Sequence, residues 1–183
     1  TYEGALKVAQ PASEKLLIGA PTEGAAQYVY VVREVQTCAW VENKDKQSGG
    51  GTKAVYEKHW VAAVPDSDDF ATKGHKNDSG KLERKESAGT GIRVGEYEVP
   101  EVTAYYGMET LPFDKESVSR FVKGATDSDS TWVYFALARR CTLEGGASIG
   151  DQRATFKALR TGDRACVFGT KAGSRFMDDA SMA

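Results

Sequence analysis

The residues of this chain best suited to chemistry are two histidines, His59 and His75, and three cysteines, Cys38, Cys141 and Cys166. Zinc requires Cys or His ligands in close clusters, and neither histidine has such neighbours in sequence, so no metal or cofactor is expected. A nucleophile pair of Cys38 with His59 would need hydrogen-bond reach and an orienting group. Cys38 lies mid-strand between Thr37 and Ala39, away from any helix N-terminus that would activate a thiol, so catalysis is not the reading we adopt. The runs Asp66-Ser67-Asp68-Asp69 and Asp127-Ser128-Asp129 offer clustered carboxylates, but the second lacks the glycine and distal glutamate of a calcium loop, and both read as solvated turns. Asn77-Asp78-Ser79 fits the glycosylation acceptor pattern, a short pattern with a high chance rate. Gly49, Gly50 and Gly51 lead into a strand and not a helix, which disfavours phosphate binding.

The elements that hold these residues belong to an ordinary globular chain. At 183 residues, with 40% apolar and 27% charged residues, one domain spanning 1–183 is expected. The formal charge of -2, with Lys and Arg spread among acids, argues against nucleic acid. No apolar run approaches the length of a membrane span, so the chain as given reads as soluble. It starts at Thr1, from which we expect that an N-terminal piece carrying targeting or anchoring has been removed. One disulfide is compatible with the sequence: Cys141 and Cys166 both fall in strand-like segments near the C-terminus. Buried free thiols are the preferred alternative.

Strand signals dominate. Short strands are expected at 5–8 and 16–18. From 27 to 42, Val29, Val31, Val35, Ala39 and Val41 share one parity, and Tyr28, Tyr30, Glu34, Gln36, Cys38 and Trp40 the other, which predicts one long strand or two joined at a bulge near Arg33. A polar, glycine-bearing loop at 43–52 precedes a second aromatic and β-branched run at 54–61, so the two runs should pair antiparallel. A long surface loop follows at about 64–87, pinned at Phe70, then a strand at 91–99. Two short helices are expected near 101–123, around 102–108 and from Asp114, which can cap its helix. Strands are expected again at 131–138, 153–159 and 165–170. Thr161-Gly162-Asp163 joins the last two in a C-terminal β-hairpin. Trp40 and Trp60 fall on the paired runs as candidate cross-strand neighbours. With Tyr56 and His75 they form the set of candidate interaction or packing positions.

The passage from Arg33 to Glu42, containing Thr37-Cys38-Ala39-Trp40, followed after a polar loop by Tyr56-Glu57-Lys58-His59-Trp60, resembles the transmembrane protein 43 (LUMA) family. Phe70 with Gly74-His75-Lys76-Asn77, Ile92-Arg93-Val94-Gly95-Glu96-Tyr97, Ile149-Gly150-Asp151-Gln152-Arg153-Ala154-Thr155-Phe156, and residues 169–176 extend the resemblance, in order, across most of 3–178. Thr37-Cys38-Ala39 stands where the family has an aromatic before the strand tryptophan. The resemblance implies a domain on the luminal or extracytoplasmic side, set between an N-terminal membrane helix and several C-terminal ones. It also implies a membrane organiser that holds partner proteins, without established enzymatic activity.

The expectation is therefore an α+β, mainly antiparallel domain, excised from a membrane protein or a soluble offshoot of one. It would act as a scaffold that binds itself or protein partners through sheet edges, with membrane attachment through segments absent from this chain. The rival expectation is a hydrolase or small-ligand-binding domain that uses 64–87 as a lid.

Overall fold

The computed structural model describes residues 2–18, 27–99 and 108–167, with the backbone of 170–172 and 175–177. Its strands are β1 (Tyr2–Lys7), β2 (Tyr28–Lys46), β3 (Thr52–Val61), β4 (Lys85–Ala88), β5 (Arg93–Val94), β6 (Tyr97–Glu98), β7 (Glu109–Thr110) and β8 (Asp127–Ser128). They continue with β9 (Val133–Tyr134), β10 (Cys141–Thr142), β11 (Gly145–Gly146), β12 (Gln152–Arg160), β13 (Arg164–Val167), β14 (Thr170–Ala172) and β15 (Arg175–Met177). One short helix, α1, spans Val118–Phe121. The chain is mostly antiparallel sheet with very little helix, which corrects the α+β expectation. The expected helix at 102–108 falls outside the described residues except for Met108, which is not helical. The second is a single turn. Asp114 receives the amides of Glu116 (3.0 Å) and Ser117 (2.8 Å) as anticipated, but Val122 is already extended one residue past α1.

The contacts divide the chain into two compact units, through both of which β2 and β12 run. The first comprises Thr1–Arg33, Lys85–Leu111 and Phe156–Ala183. It holds a sheet ordered β13-β1-β5-β6-β15-β14, and β4 pairs with the start of β2 at Tyr30↔Ala88 through Arg33↔Lys85. Its core gathers Leu6, Val29, Tyr30, Val32, Ile92, Val94 and Leu159. Val29 through Val32 are all buried, on both faces of the strand, so the simple alternation read from the sequence fails here. The expected single strand at 91–99 is instead two, β5 and β6, folded on each other around Gly95. The φ of +59° at Gly95 is open to glycine at little cost. The C-terminal hairpin is also placed differently. The turn after β12 is present, but β13 leaves it to pair with β1, and the antiparallel pair near the C-terminus is β14 with β15.

The second unit comprises Glu34–Arg84 and Pro112–Thr155. Here β2 pairs antiparallel with β3 from Thr37↔Val61 to Lys46↔Thr52, and β12 pairs with β9, which pairs with β8. The hairpin is the one expected, with longer strands, so the connecting loop shrinks to residues 47–51. β2 runs as one strand through Arg33. The segment 64–87 is mostly irregular, as expected, with a short 3-10 turn at Ser67–Asp69. Its last residues, however, enter β4.

Candidate interaction surface on the long hairpin

The orientation of the hairpin's backbone follows from two rungs. Cys38 and Trp40 point their N–H and C=O groups away from β3: Cys38 bonds Asp151 O (2.8 Å) and Gly150 N (3.0 Å), and Trp40 bonds the Asn77 carboxamide (2.7 and 3.1 Å). Their partners across the hairpin are Trp60 and Lys58. In an antiparallel pair such non-hydrogen-bonded rungs alternate with bonded ones, so Thr52, Ala54, Tyr56 and Lys58 also turn their backbone groups outward, away from β2. β3 ends the sheet order among the described residues, so it is an edge strand. Towards the loop, Asn43 to Lys46 on β2 and Thr52 and Lys53 on β3 are exposed, which makes the end of the hairpin an arm.

The even-numbered face of this hairpin carries the aromatic residues. Tyr56 stacks on His75 with ring centres 3.9 Å apart, and Trp40 meets the His75 ring edge-on at 4.7 Å. Phe70 packs on Tyr56 at 5.6 Å, so it does pin the loop. The Tyr56 hydroxyl donates to Glu42 (2.7 Å) and accepts from the Thr72 amide (2.8 Å). Together with the Ala71 amide, that hydroxyl holds the Glu42 carboxyl below its usual range. His75 Nδ1 is buried and makes no hydrogen bond among the described residues.

Trp40, Tyr56 and His75 thus come together, while Trp60 does not join them. The register sets Trp40 opposite Lys58 and Trp60 opposite Cys38, so the two tryptophans stand diagonal to each other across the strands and not face to face. Trp60 instead shares the guanidinium of Arg153 with Trp132, at 5.0 and 4.1 Å from the ring centres. Arg153 also donates twice to Gln36 Oε1 (2.9 and 2.6 Å).

Two residues fasten the long loop in a role the sequence did not assign them: Asn77, read there as a glycosylation pattern, and Gln152. Asn77 donates to both Trp40 O and Pro65 O, so the nitrogen that glycosylation would need is already engaged. Gln152, 5% exposed, accepts the amides of Lys81 (2.8 Å) and Leu82 (2.7 Å) and donates to Thr37, Ser79 and Leu82. A Cβ at Gly80 would lie 2.3 Å from its Cδ, which explains the glycine there. Gln152 belongs to the Gly-Asp-containing strand that carried the resemblance, but the loop it clasps is more than 60 residues upstream, and no local pattern joins the two.

Neither the buried free thiols preferred from the sequence nor the Cys141–Cys166 bond it allowed is found. Cys38 bonds Cys141, and Cys166 is free and exposed. β13 takes Cys166 to β1 in the first unit, whereas β10 brings Cys141 beside Cys38, in a buried cluster with Ala136 and Ala147. A Cys38 sulfur held in this bond offers no thiolate to His59.

The acidic cluster at 127–129 uses its oxygens internally. Asp127 receives Arg139 Nε (2.6 Å) and Nη2 (2.8 Å), which hold its carboxyl below the usual range. Burial pushes Asp129 up, but the Tyr134 hydroxyl and the amides of Trp132 and Thr131 together outweigh it, and its carboxyl too lies below the usual value. A lowered folded-state pKa stabilises above the unfolded value, near 3.9, and that stability is lost as pH falls through the folded value. The urea midpoint should therefore drop below about pH 4, and Asp129→Asn should flatten that drop while lowering the midpoint at neutral pH. An acid limb unchanged by the substitution would show that the stability is lost elsewhere.

An open cleft of about 700 Å³ lies between β3, at Glu57 to His59, and the β10–β11 hairpin, with Arg139, Arg140 and Thr142 among its lining. His59 Nε2 is 3.0 Å from Glu57 in its wall. No residue of 64–87 lines it, so that segment is not its lid.

Fold and surface together define a β-rich domain with a disulfide-anchored hairpin whose edge is open. A family model for transmembrane protein 43 matches residues 37–178, and the chain belongs to that family. Membership makes it part of a transmembrane-protein family. The match begins at Thr37, so the resemblance read upstream of it is outside the matched region. Comparison with curated proteins and with solved structures gave no match. Among the described residues no helix is long and apolar enough to cross a membrane.

Proposed function

We propose that this domain is a non-enzymatic assembly module of a membrane-associated protein, on the luminal or extracytoplasmic side, which binds itself or protein partners through the edge of β3. The observation that carries this reading is the exposed arm ending in an edge strand with outward-facing backbone groups. Such an edge is a template for strand addition, in which main-chain hydrogen bonds give affinity and alternate side chains give specificity. The Cys38–Cys141 bond supports the compartment, since structural disulfides form and persist where the surroundings oxidise.

Light scattering over a dilution series tests the reading. The expected result is a mass above 19.8 kDa at high concentration that falls on dilution. It should approach the monomer at all concentrations when Ala54→Pro removes an outward N–H from β3. A wild-type monomer throughout would sink self-association and leave a different protein as the partner. The cleft with its His59–Glu57 pair favours a second reading, small-ligand binding, without the lid first expected.

A further inference from the structure

Resting on that reading, we infer that the partner of the β3 edge is the β3 edge of a second copy, paired antiparallel about a two-fold axis at Val55. Because Ala54, Tyr56 and Lys58 turn their backbone groups outward, only registers that keep this parity can form hydrogen bonds across the new interface. A two-fold axis must then pass through one residue and its own counterpart. Four centres are worth comparing, and side-chain charge separates them.

Centred on Val55, the pairing sets Lys53 opposite Glu57 of the second copy and, by symmetry, Glu57 opposite Lys53. Ala54 and Tyr56 then exchange backbone hydrogen bonds with Tyr56 and Ala54 across the axis. Val55 meets Val55, a β-branched pair suited to a strand surface. Centred on Tyr56, Lys53 faces His59 and Val55 faces Glu57. Centred on Glu57, two carboxylates oppose one another, and centred on Ala54, Lys53 faces Val55. Only the Val55 register gives two directly opposed pairs of opposite charge.

The environment of these residues agrees. Lys53 and Glu57 are exposed, and Lys53 makes no ion pair among the described residues. Within the hairpin Lys53 sits opposite Asp45, so the pairing would complete a row of Asp45, Lys53 and the second copy's Glu57. Glu57 already holds Asn43 (3.1 Å) and His59 (3.0 Å), which fixes its carboxylate on that face. Lysines on edge strands ordinarily discourage pairing, and this register is the one that turns Lys53 into an attraction. The exposed end of a two-stranded arm is marginally stable in water, so a third and fourth strand also supply what it lacks. Thr52 of one copy reaches the mouth of the cleft beside Lys58 of the other.

The test uses the whole chain in a Cys166→Ser background, so that the exposed thiol does not cross-link. Lys53→Glu and Glu57→Lys should each weaken the dimer at least about tenfold by dilution light scattering, because each places like charges opposite twice. The double variant Lys53→Glu/Glu57→Lys should recover most of the affinity. Val55→Cys should form a covalent dimer on mild oxidation, since Cα atoms in such a rung lie about 4.5 Å apart, within disulfide reach. A dimer that ignores the charge reversals and fails to cross-link at position 55 overturns the register while leaving edge association standing. A wild-type monomer at every concentration overturns both.

Discussion

Replacing Cys38 and Cys141 together by alanine is expected to lower the unfolding free energy by about 4 kcal/mol, the largest single effect foreseen for this chain. The bond closes a loop across a sequence separation of 103, and for loops of that length the lost freedom of the unfolded chain is worth about 4 to 5 kcal/mol. Cys38 is fully buried and Cys141 nearly so, so removing both sulfurs also leaves unfilled space in the core, which adds to the loss. Urea unfolding should show the wild type in reductant falling to the midpoint of the double variant, while the variant itself ignores reductant. A wild type indifferent to reductant under unfolding conditions would mean that the bond is absent in solution. The same experiment bears on location, because a domain that loses this much on reduction is suited to an oxidising compartment.

The second large effect is expected at Glu14. Its side chain is 1% exposed and lies 2.6 Å from Arg33, whose own side chain is 10% exposed. The same carboxylate oxygen accepts the amide of Leu16 at 3.1 Å. Glu14→Ala leaves a guanidinium in the middle of β2 without its closest anion, and breaking such a buried pair costs about 3 kcal/mol or more even though Arg33 keeps other contacts. Glu14→Gln, which keeps an acceptor for both donors, should lose clearly less. A joint replacement of both residues, Glu14→Leu with Arg33→Met, should also recover part of the loss, since a packed apolar pair avoids the desolvation of two charges. Thermal and urea unfolding of the three variants measure this. Equal stability of Glu14→Ala and wild type would show that the ion pair contributes nothing net.

Legibility in the sequence follows the range of the interaction. The β2–β3 hairpin was readable because alternating β-branched and aromatic residues on two runs, joined by a glycine-bearing loop, encode pairing locally. The Asp114 turn was readable for the same reason, although the helix it starts stops after Phe121. The strands of two residues, β5 to β11, carry no period of their own. They exist where neighbouring backbone supplies partners, as Arg93 and Val94 find Lys7 and Leu6.

The candidate site divides in the same way. Trp40 and Tyr56 were marked by their place on the hairpin, and His75 by the resemblance, but their stacking depends on how loop 70–77 lies across the sheet. Trp60 was marked together with them and went to Arg153 instead, because the register, and not its residue type, chose its neighbour. The sequence by itself determined a β-rich chain, its long hairpin, the arm's charges and its family. Tertiary structure alone decided that Cys141 would reach Cys38, that Gln152 would clasp residues 79–82, and that Glu14 would meet Arg33. Those choices join positions far apart in the chain, and side-chain type limits such pairings without selecting among them until the sheets bring the partners within reach.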